Sequence, residues 1–133
     1  LVGSPAYFRR HGTPATPADL GSHEALGYSI LRAPNEWRLR AAKGRWLTVT
    51  MQSTLRCNND FALKQFALDG LGLSLFPRFF VENELASGRL VQVLADYPGP
   101  ELSINAVYGT RRHLMPKLRV FLDFLRERFG PES

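Results

Sequence analysis

Between Arg56 and Leu85 the apolar positions change period twice, and the rest of the chain reads as built around that stretch. Asn58 or Asn59 supplies a side-chain cap for the free amides of a helix, and Asp60 stands where the helix dipole favours negative charge. Phe61 to Asp69 carries the helix, and Gly70 closes it in the left-handed conformation that glycine reaches cheaply. After Gly72 the run Leu73-Ser74-Leu75-Phe76 is short and almost wholly apolar, which predicts a strand buried on both faces, as in a parallel sheet. Pro77 fits the first position of a further helix, Arg78 to Ala86, which Gly88 can end. A helix feeding a central strand that feeds a helix is the order of an α/β layer fold.

The flanking pattern fits the same class. Leu1 to Gly3 ends a strand, and Ser4 caps a short helix that opens on Pro5 and stops at Gly12. Thr16-Pro17-Ala18-Asp19 is a capping-box pattern that starts one or two helical turns through Leu20. Ala25 to Leu31 predicts a strand ended by the turn composition Ala33-Pro34-Asn35. Trp37, Leu39 and Ala41 alternate with Arg38 and Arg40, and Leu47, Val49 and Met51 alternate with Thr48, Thr50 and Gln52. With Gly44 between them, the two runs predict an antiparallel hairpin with one solvated face. A strand from Thr48 to Arg56 then delivers the chain to the Asn58-Asn59 cap. Arg89 to Leu94 predicts another strand, and Asp96 to Pro100 is too proline-rich for regular structure. Leu102, Ile104, Ala106 and Tyr108 alternate with Ser103, Asn105 and Val107 as a last strand. From Pro116 onward, Leu118, Phe121, Leu122, Leu125 and Phe129 form one apolar stripe of a helix. Arg126 and Arg128 suit its last turns, and Gly130-Pro131 stops it.

With 133 residues, 44% apolar and 22% charged, the chain has material for one core: one domain, or one lobe and a piece of another. No run of about 18 uncharged apolar residues occurs, and the N-terminus lacks a signal-peptide pattern. Leu1-Val2-Gly3-Ser4, without an initiator Met, reads as a strand already under way, so a piece of a longer protein is expected. Cys57 is the single cysteine, which excludes an internal disulfide and fits a reducing compartment. A net charge of +5 permits an acidic partner. The arginines come in ones and twos, however, and are not interleaved with stacking aromatics as single-strand binders require.

The residues of common enzyme chemistry are not assembled. His11, His23 and His113 each lie among turn residues, and no G-x-S-x-G, H-E-x-x-H or C-x-x-C is present. Gly70-Leu71-Gly72 follows a helix, the reverse of the phosphate-cradling order. Cys57, beside a helix start, is either a thiol of lowered pKa or an inert packing residue. Two helix starts that follow strand ends remain: Ser4 with Pro5, and Asn58-Asn59 with Asp60. Such starts suit a carboxylate or other small anion held in a crevice, to which Tyr28 and Ser29 add hydroxyls; the same residues also serve as plain caps.

The series S-P-A-Y from Ser4, T-P-A-D-L from Thr16, H-E-A-L-G-Y-S from His23, L-R-C-N-N from Leu55, D-G-L-G-L-S-L-F-P from Asp69 and G-R-L-V-Q-V-L from Gly88 resembles the effector-binding domain of LysR-type transcriptional regulators. The resemblance continues through R-R-H-L-M-P-K-L-R-V-F-L-D-F-L from Arg111 and covers essentially the whole chain. It implies an α/β fold like type 2 periplasmic binding proteins, with two lobes and a small effector between them. Residues 1–95 then resemble the complete second lobe, and residues 96–133 the crossover strand and C-terminal helix returning to the first. Ser4, Tyr28, Ser29, Asn58 and Asn59 fall where the family's second-lobe wall, cleft-side helix start and first crossover lie, and are the expected ligand-binding residues. The family's N-terminal helix-turn-helix, linker helix and the strands opening its first lobe have no counterpart in these residues.

The resemblance further implies a cytoplasmic homodimer that senses a small-molecule effector, expected to be an anion. DNA is met only through the N-terminal domain, with no membrane contact, catalysis, cofactor or metal. Two other readings stay open at this point: a periplasmic-type solute-binding lobe, and an α/β enzyme fragment using Cys57 or His113.

Overall fold

The structure is a computed structural model, and it describes residues 1–33, 35–102, 105, 107 and 115–129. Two compact units are present, Leu1–Glu101 and Leu102–Ser133. In the first, β1 (Val2–Gly3) leads into α1 (Pro5–His11), a 3-10 segment (Pro17–Ser22) and β2 (Glu24–Tyr28). The hairpin β3 (Glu36–Arg40) and β4 (Trp46–Thr50) follows, then β5 (Gln52–Cys57), α2 (Asp60–Leu68), α3 (Arg78–Ala86) and β6 (Val91–Gln92).

The expected central strand is reduced to a short crossing point. Leu73 pairs in parallel with Ala25, and Ser74 pairs antiparallel with Val2. Four backbone hydrogen bonds of 2.8–3.0 Å hold this bridge: Leu26 to Leu73, Leu73 to Glu24, Val2 to Ser74 and Ser74 to Val2. The Ser74 hydroxyl adds a fifth by donating to the Leu26 carbonyl at 3.2 Å. Leu73 and Ser74 are buried while Leu75 and Phe76 are half-buried, so pairing stops where shielding from water stops.

The run expected as one strand from Thr48 to Arg56 is two. Met51 is buried, its N–H donates to the Asn35 carbonyl, and Asn35 Nδ2 donates back to the Met51 carbonyl. At that clasp the chain leaves the antiparallel β3–β4 ladder and joins β2 in parallel, with Thr54 the extra residue of a bulge between Ala25 and Leu26. β2 ends at Tyr28, not Leu31, because Ser29 and Ile30 form a turn with exposed side chains. β6 spans two residues of the expected six: Leu94 adopts φ 51° and turns the chain, its carbonyl accepting from Tyr97 N–H. Pro77 is the cap residue of α3, one position outside the helix expected to begin with it.

Alternation along β2 splits the core in two. Ala25 joins Tyr7, Leu20, Trp37, Leu39, Met51 and Leu73 on one face, and Leu26 joins Val2, Leu63, Ala67, Val81 and Leu90 on the other. The hairpin and the 3-10 segment thus cover one face, and α2 with α3 covers the other. Each fully buried leucine contributes about 1.5–3 kcal/mol of transfer free energy. α2 is tied to α3 by Lys64, whose Nζ lies 3.2 Å from Glu84 Oε1, donates to the Phe80 carbonyl and sits 4.5 Å from the Phe80 ring centre. Burial pushes the Glu84 carboxyl upward, but Lys64 and Arg89 outweigh it and hold the group ionised.

The second unit contains α4 (Pro116–Phe129), the expected final helix. Leu118, Leu122 and Leu125 of its stripe are half-buried, whereas Phe121 is exposed. The strand expected at Leu102 to Tyr108 falls largely outside the described residues, as do the Phe129 side chain and the Gly130-Pro131 stop.

Candidate functional site

β2 and β5 are parallel, and Tyr28 pairs with Cys57 at their shared carboxyl end. Ser29 N–H donates to the Cys57 carbonyl at 2.9 Å, so Tyr28-Ser29 and Cys57-Asn58 leave the sheet side by side. That end of a parallel sheet is where helix starts and loops converge. Asn59 caps α2: its Oδ1 accepts from Phe61 N–H at 2.9 Å and Ala62 N–H at 3.2 Å, with Asp60 in the first turn. The Asn58 side chain is exposed and, among the described residues, makes no side-chain hydrogen bond. Ser29 is exposed, and Tyr28 is half-buried against the second cluster, beside Cys57.

Ser4 is elsewhere. Because β1 runs antiparallel to Ser74, and Leu73 parallel to β2, the chain leaves β1 at the amino end of β2 and β5. Ser4 is buried, and its Oγ accepts from Tyr7 N–H at 3.2 Å as the cap of α1. A Cβ built on Gly70, just past α2, would stand 3.1 Å from that Oγ, whereas Asn59 caps the opposite end of α2. Nine helical residues at about 1.5 Å each separate them by roughly 14 Å. The two helix starts expected to share one crevice therefore stand at opposite ends of one helix, and four of the five expected residues come together. Around Ser4 an open depression of about 340 Å³ is lined by Arg9, Gln65, Leu68 and Arg89 among others.

Residues that sequence reasoning passed over border the Tyr28–Asn59 end. The parallel pairing of Leu73 with Ala25 carries Phe76 and Pro77 toward the end where Tyr28 lies. Phe76 and Phe80 pack 5.6 Å apart, and Phe80 meets Phe61 edge-on at 5.2 Å. The signal was present in L-S-L-F-P: a segment that crosses β2 in parallel at Leu73 runs on toward the same end as β2 and β5.

Of the residues considered for enzyme chemistry, two are packed within the first unit. Cys57 is half-buried against the second cluster, and His23 is buried on the Tyr7 hydroxyl. His113 lies outside the described residues. Among the described residues no three His, Cys, Asp or Glu side chains gather as for a metal, and no helix is long and apolar enough to cross a membrane.

Comparison with known proteins places this geometry. The family model described as the LysR substrate binding domain matches residues 1–130. The transcriptional regulator CrgA of Neisseria meningitidis serogroup C is 32% identical over 131 residues, which are 98% of this chain and 43% of that protein. PtxR of Pseudomonas aeruginosa is 34% identical over 131 residues, 98% of this chain and 42% of that protein. The chain thus spans somewhat over two fifths of the length of these curated relatives. Among solved structures, the CrgA regulatory domain from Neisseria meningitidis superposes with a TM-score of 0.76 at 31% identity, over 97% of this chain and 63% of that one. The regulatory domain of AphB in Vibrio vulnificus gives 0.73 at 26% identity, over 96% and 62%. The fold is accordingly the α/β, type 2 periplasmic-binding-protein-like fold of such regulatory domains, and the chain belongs to the LysR substrate binding domain family.

Proposed function

We propose that this chain is the effector-sensing part of a LysR-type transcriptional regulator, and that it takes one end of a small anionic molecule at Tyr28, Ser29, Asn58 and Asn59. The observation that carries the reading is the parallel pairing of β2 with β5, which sets Ser29 beside Cys57 and brings the two site segments to one sheet end. The capped start of α2 supplies the positive dipole end, the Asn58 amide a donor, and Phe61, Phe76 and Phe80 an apolar border. A small molecule seated there does not reach Ser4, whose place at the far end of α2 fits a separate contact or the α1 cap alone.

In this reading residues 1–95 are the second lobe and residues 96–133 return to the first. The segment from Asp96 to Glu101 stays tied to the hairpin, through Arg40 N–H to the Pro98 carbonyl and Arg40 to Glu101. The whole protein is a cytoplasmic homodimer that meets DNA through a separate N-terminal domain and performs no catalysis. Effector binding with different affinity for two arrangements of the lobes or subunits shifts how the DNA-binding domains are presented, for which a coupling of roughly 1–3 kcal/mol suffices.

Amide chemical-shift mapping of the chain titrated with acetate, benzoate and succinate tests the site. Saturable shifts gathered at residues 28–30 and 57–62 are expected. Shifts confined to the Ser4 depression, or no saturable shift, would remove the site.

A further inference from the structure

We infer that the outer face of the β3–β4 hairpin is a docking surface for an acidic segment of a partner protein. The register puts Arg38 opposite Thr48 and Arg40 opposite Trp46, while Trp37 and Leu39 turn inward to the core. The outward row therefore carries Arg38, Arg40, Trp46 and Thr48, and the connecting loop beside it holds the exposed Lys43 and Arg45. Among the described residues Arg38, Lys43 and Arg45 have no carboxylate partner, and the one acidic side chain of the two strands, Glu36, stands at the far end opposite Thr50.

An exposed tryptophan amid unpaired cations is unlike an ordinary solvated face. Trp46 is 43% exposed, and Arg38 lies over its ring at 4.9 Å from the centre, across the diagonal of the ladder. Stacking holds the guanidinium plane in place, so less side-chain freedom is lost when its edge meets a carboxylate. The face already takes one such group. Glu101, 82% exposed, sets its carboxylate 3.2 Å from Arg40, the cross-strand neighbour of Trp46. Along β3 the outward positions recur about every 6.8 Å, the spacing of alternate side chains in an extended peptide. A carboxylate-bearing segment thus fits this face better than nucleic acid: there is a single aromatic, and an arginine covers one side of its ring.

The test is fluorescence anisotropy of a labelled oligoglutamate peptide, an oligoglutamine peptide of equal length and an oligo-dT strand, each titrated with the full chain. The oligoglutamate is expected to bind and the oligoglutamine not. Arg38→Ala and Trp46→Ala should weaken oligoglutamate by about fivefold or more, as anchor residues do. Arg38→Lys, which keeps charge and fold but loses the planar fork, should weaken it too. Arg9→Ala removes the same charge from α1, beside Gln65 and Arg89 and outside the hairpin, and should leave affinity within about twofold. Equal losses in Arg9→Ala and Arg38→Ala would reduce the effect to net charge and overturn the proposal. Tighter binding of oligo-dT, or no binding of oligoglutamate, would overturn it as well.

Discussion

The Tyr7 hydroxyl lies 3.0 Å from Nδ1 of His23 and, at the same distance, accepts the backbone N–H of Glu24. An imidazole with Nδ1 unprotonated can take the Tyr7 proton while the phenol oxygen still accepts from Glu24 N–H, which satisfies all three groups. This bond joins α1 to the start of β2, and the His11 ring stacks on Tyr7 at 4.5 Å. Burial pushes the Tyr7 phenol up and the His23 imidazole down, His11 adding to the latter and Asp19 opposing it.

Stability is expected to depend on pH through this pair. With its folded pKa below the ordinary value near 6.5, His23 binds fewer protons folded than unfolded, and stability rises with pH across that gap. The contribution is full above about pH 6.5 and is lost as pH falls through that value toward the lower folded one. Urea midpoints measured at intervals from pH 5 to 8 should decline on the acid side. His23→Asn, which keeps an acceptor near the Nδ1 position but does not titrate, should flatten the decline; an unchanged profile would assign it to other groups.

Tyr7→Phe leaves both His23 Nδ1 and Glu24 N–H without their buried partner while keeping the ring stack. A loss of about 1–3 kcal/mol is expected in denaturant titration. A loss within a few tenths would mean that solvent replaces the hydroxyl.

Asn58 and Asn59 should separate cleanly. Asn59→Ala removes the α2 cap and should cost about 1 kcal/mol, whereas Asn59→Asp should retain most of it. Asn58→Ala touches no bond of the described fold and should leave the unfolding midpoint in place. Under the proposed function it should instead weaken binding of the carboxylates that shift the Tyr28–Asn59 resonances.

Gly72 is required for close approach. A Cβ there would stand 2.7 Å from the Glu24 carbonyl oxygen and 3.2 Å from Leu26 Cγ, pushing β2 away from the bridge that Leu73 makes with it. Gly72→Ala is expected to cost about 1–3 kcal/mol, and Leu73→Ala, one residue on, about 2–5 kcal/mol by opening a cavity in the first cluster. Thermal and urea unfolding of the two variants read both effects; a neutral Gly72→Ala would show that the bridge yields easily.

Local signals in the sequence determined the helices, because their determinants are carried by adjacent residues. Asn59, Gly70, Ser4 with Pro5 and Gly12 specify where α2 and α1 begin or end through their own side chains or φ angles. The period-two run around Trp37 and Leu47 likewise specified the hairpin, since one face of each strand meets the core. Strand lengths were decided by partners distant in the chain. The Asn35 clasp on Met51 divides the run after Trp46, and the shortness of β1 leaves β6 only two residues to pair with. The layout of the candidate site was settled in the same way. Ser4 and Asn59 read alike as helix caps, but strand direction alone sends one to the amino end of the sheet and the other to the carboxyl end. A cap is a relation between neighbours in sequence, whereas the sense in which a strand crosses its sheet is fixed only when distant segments pair.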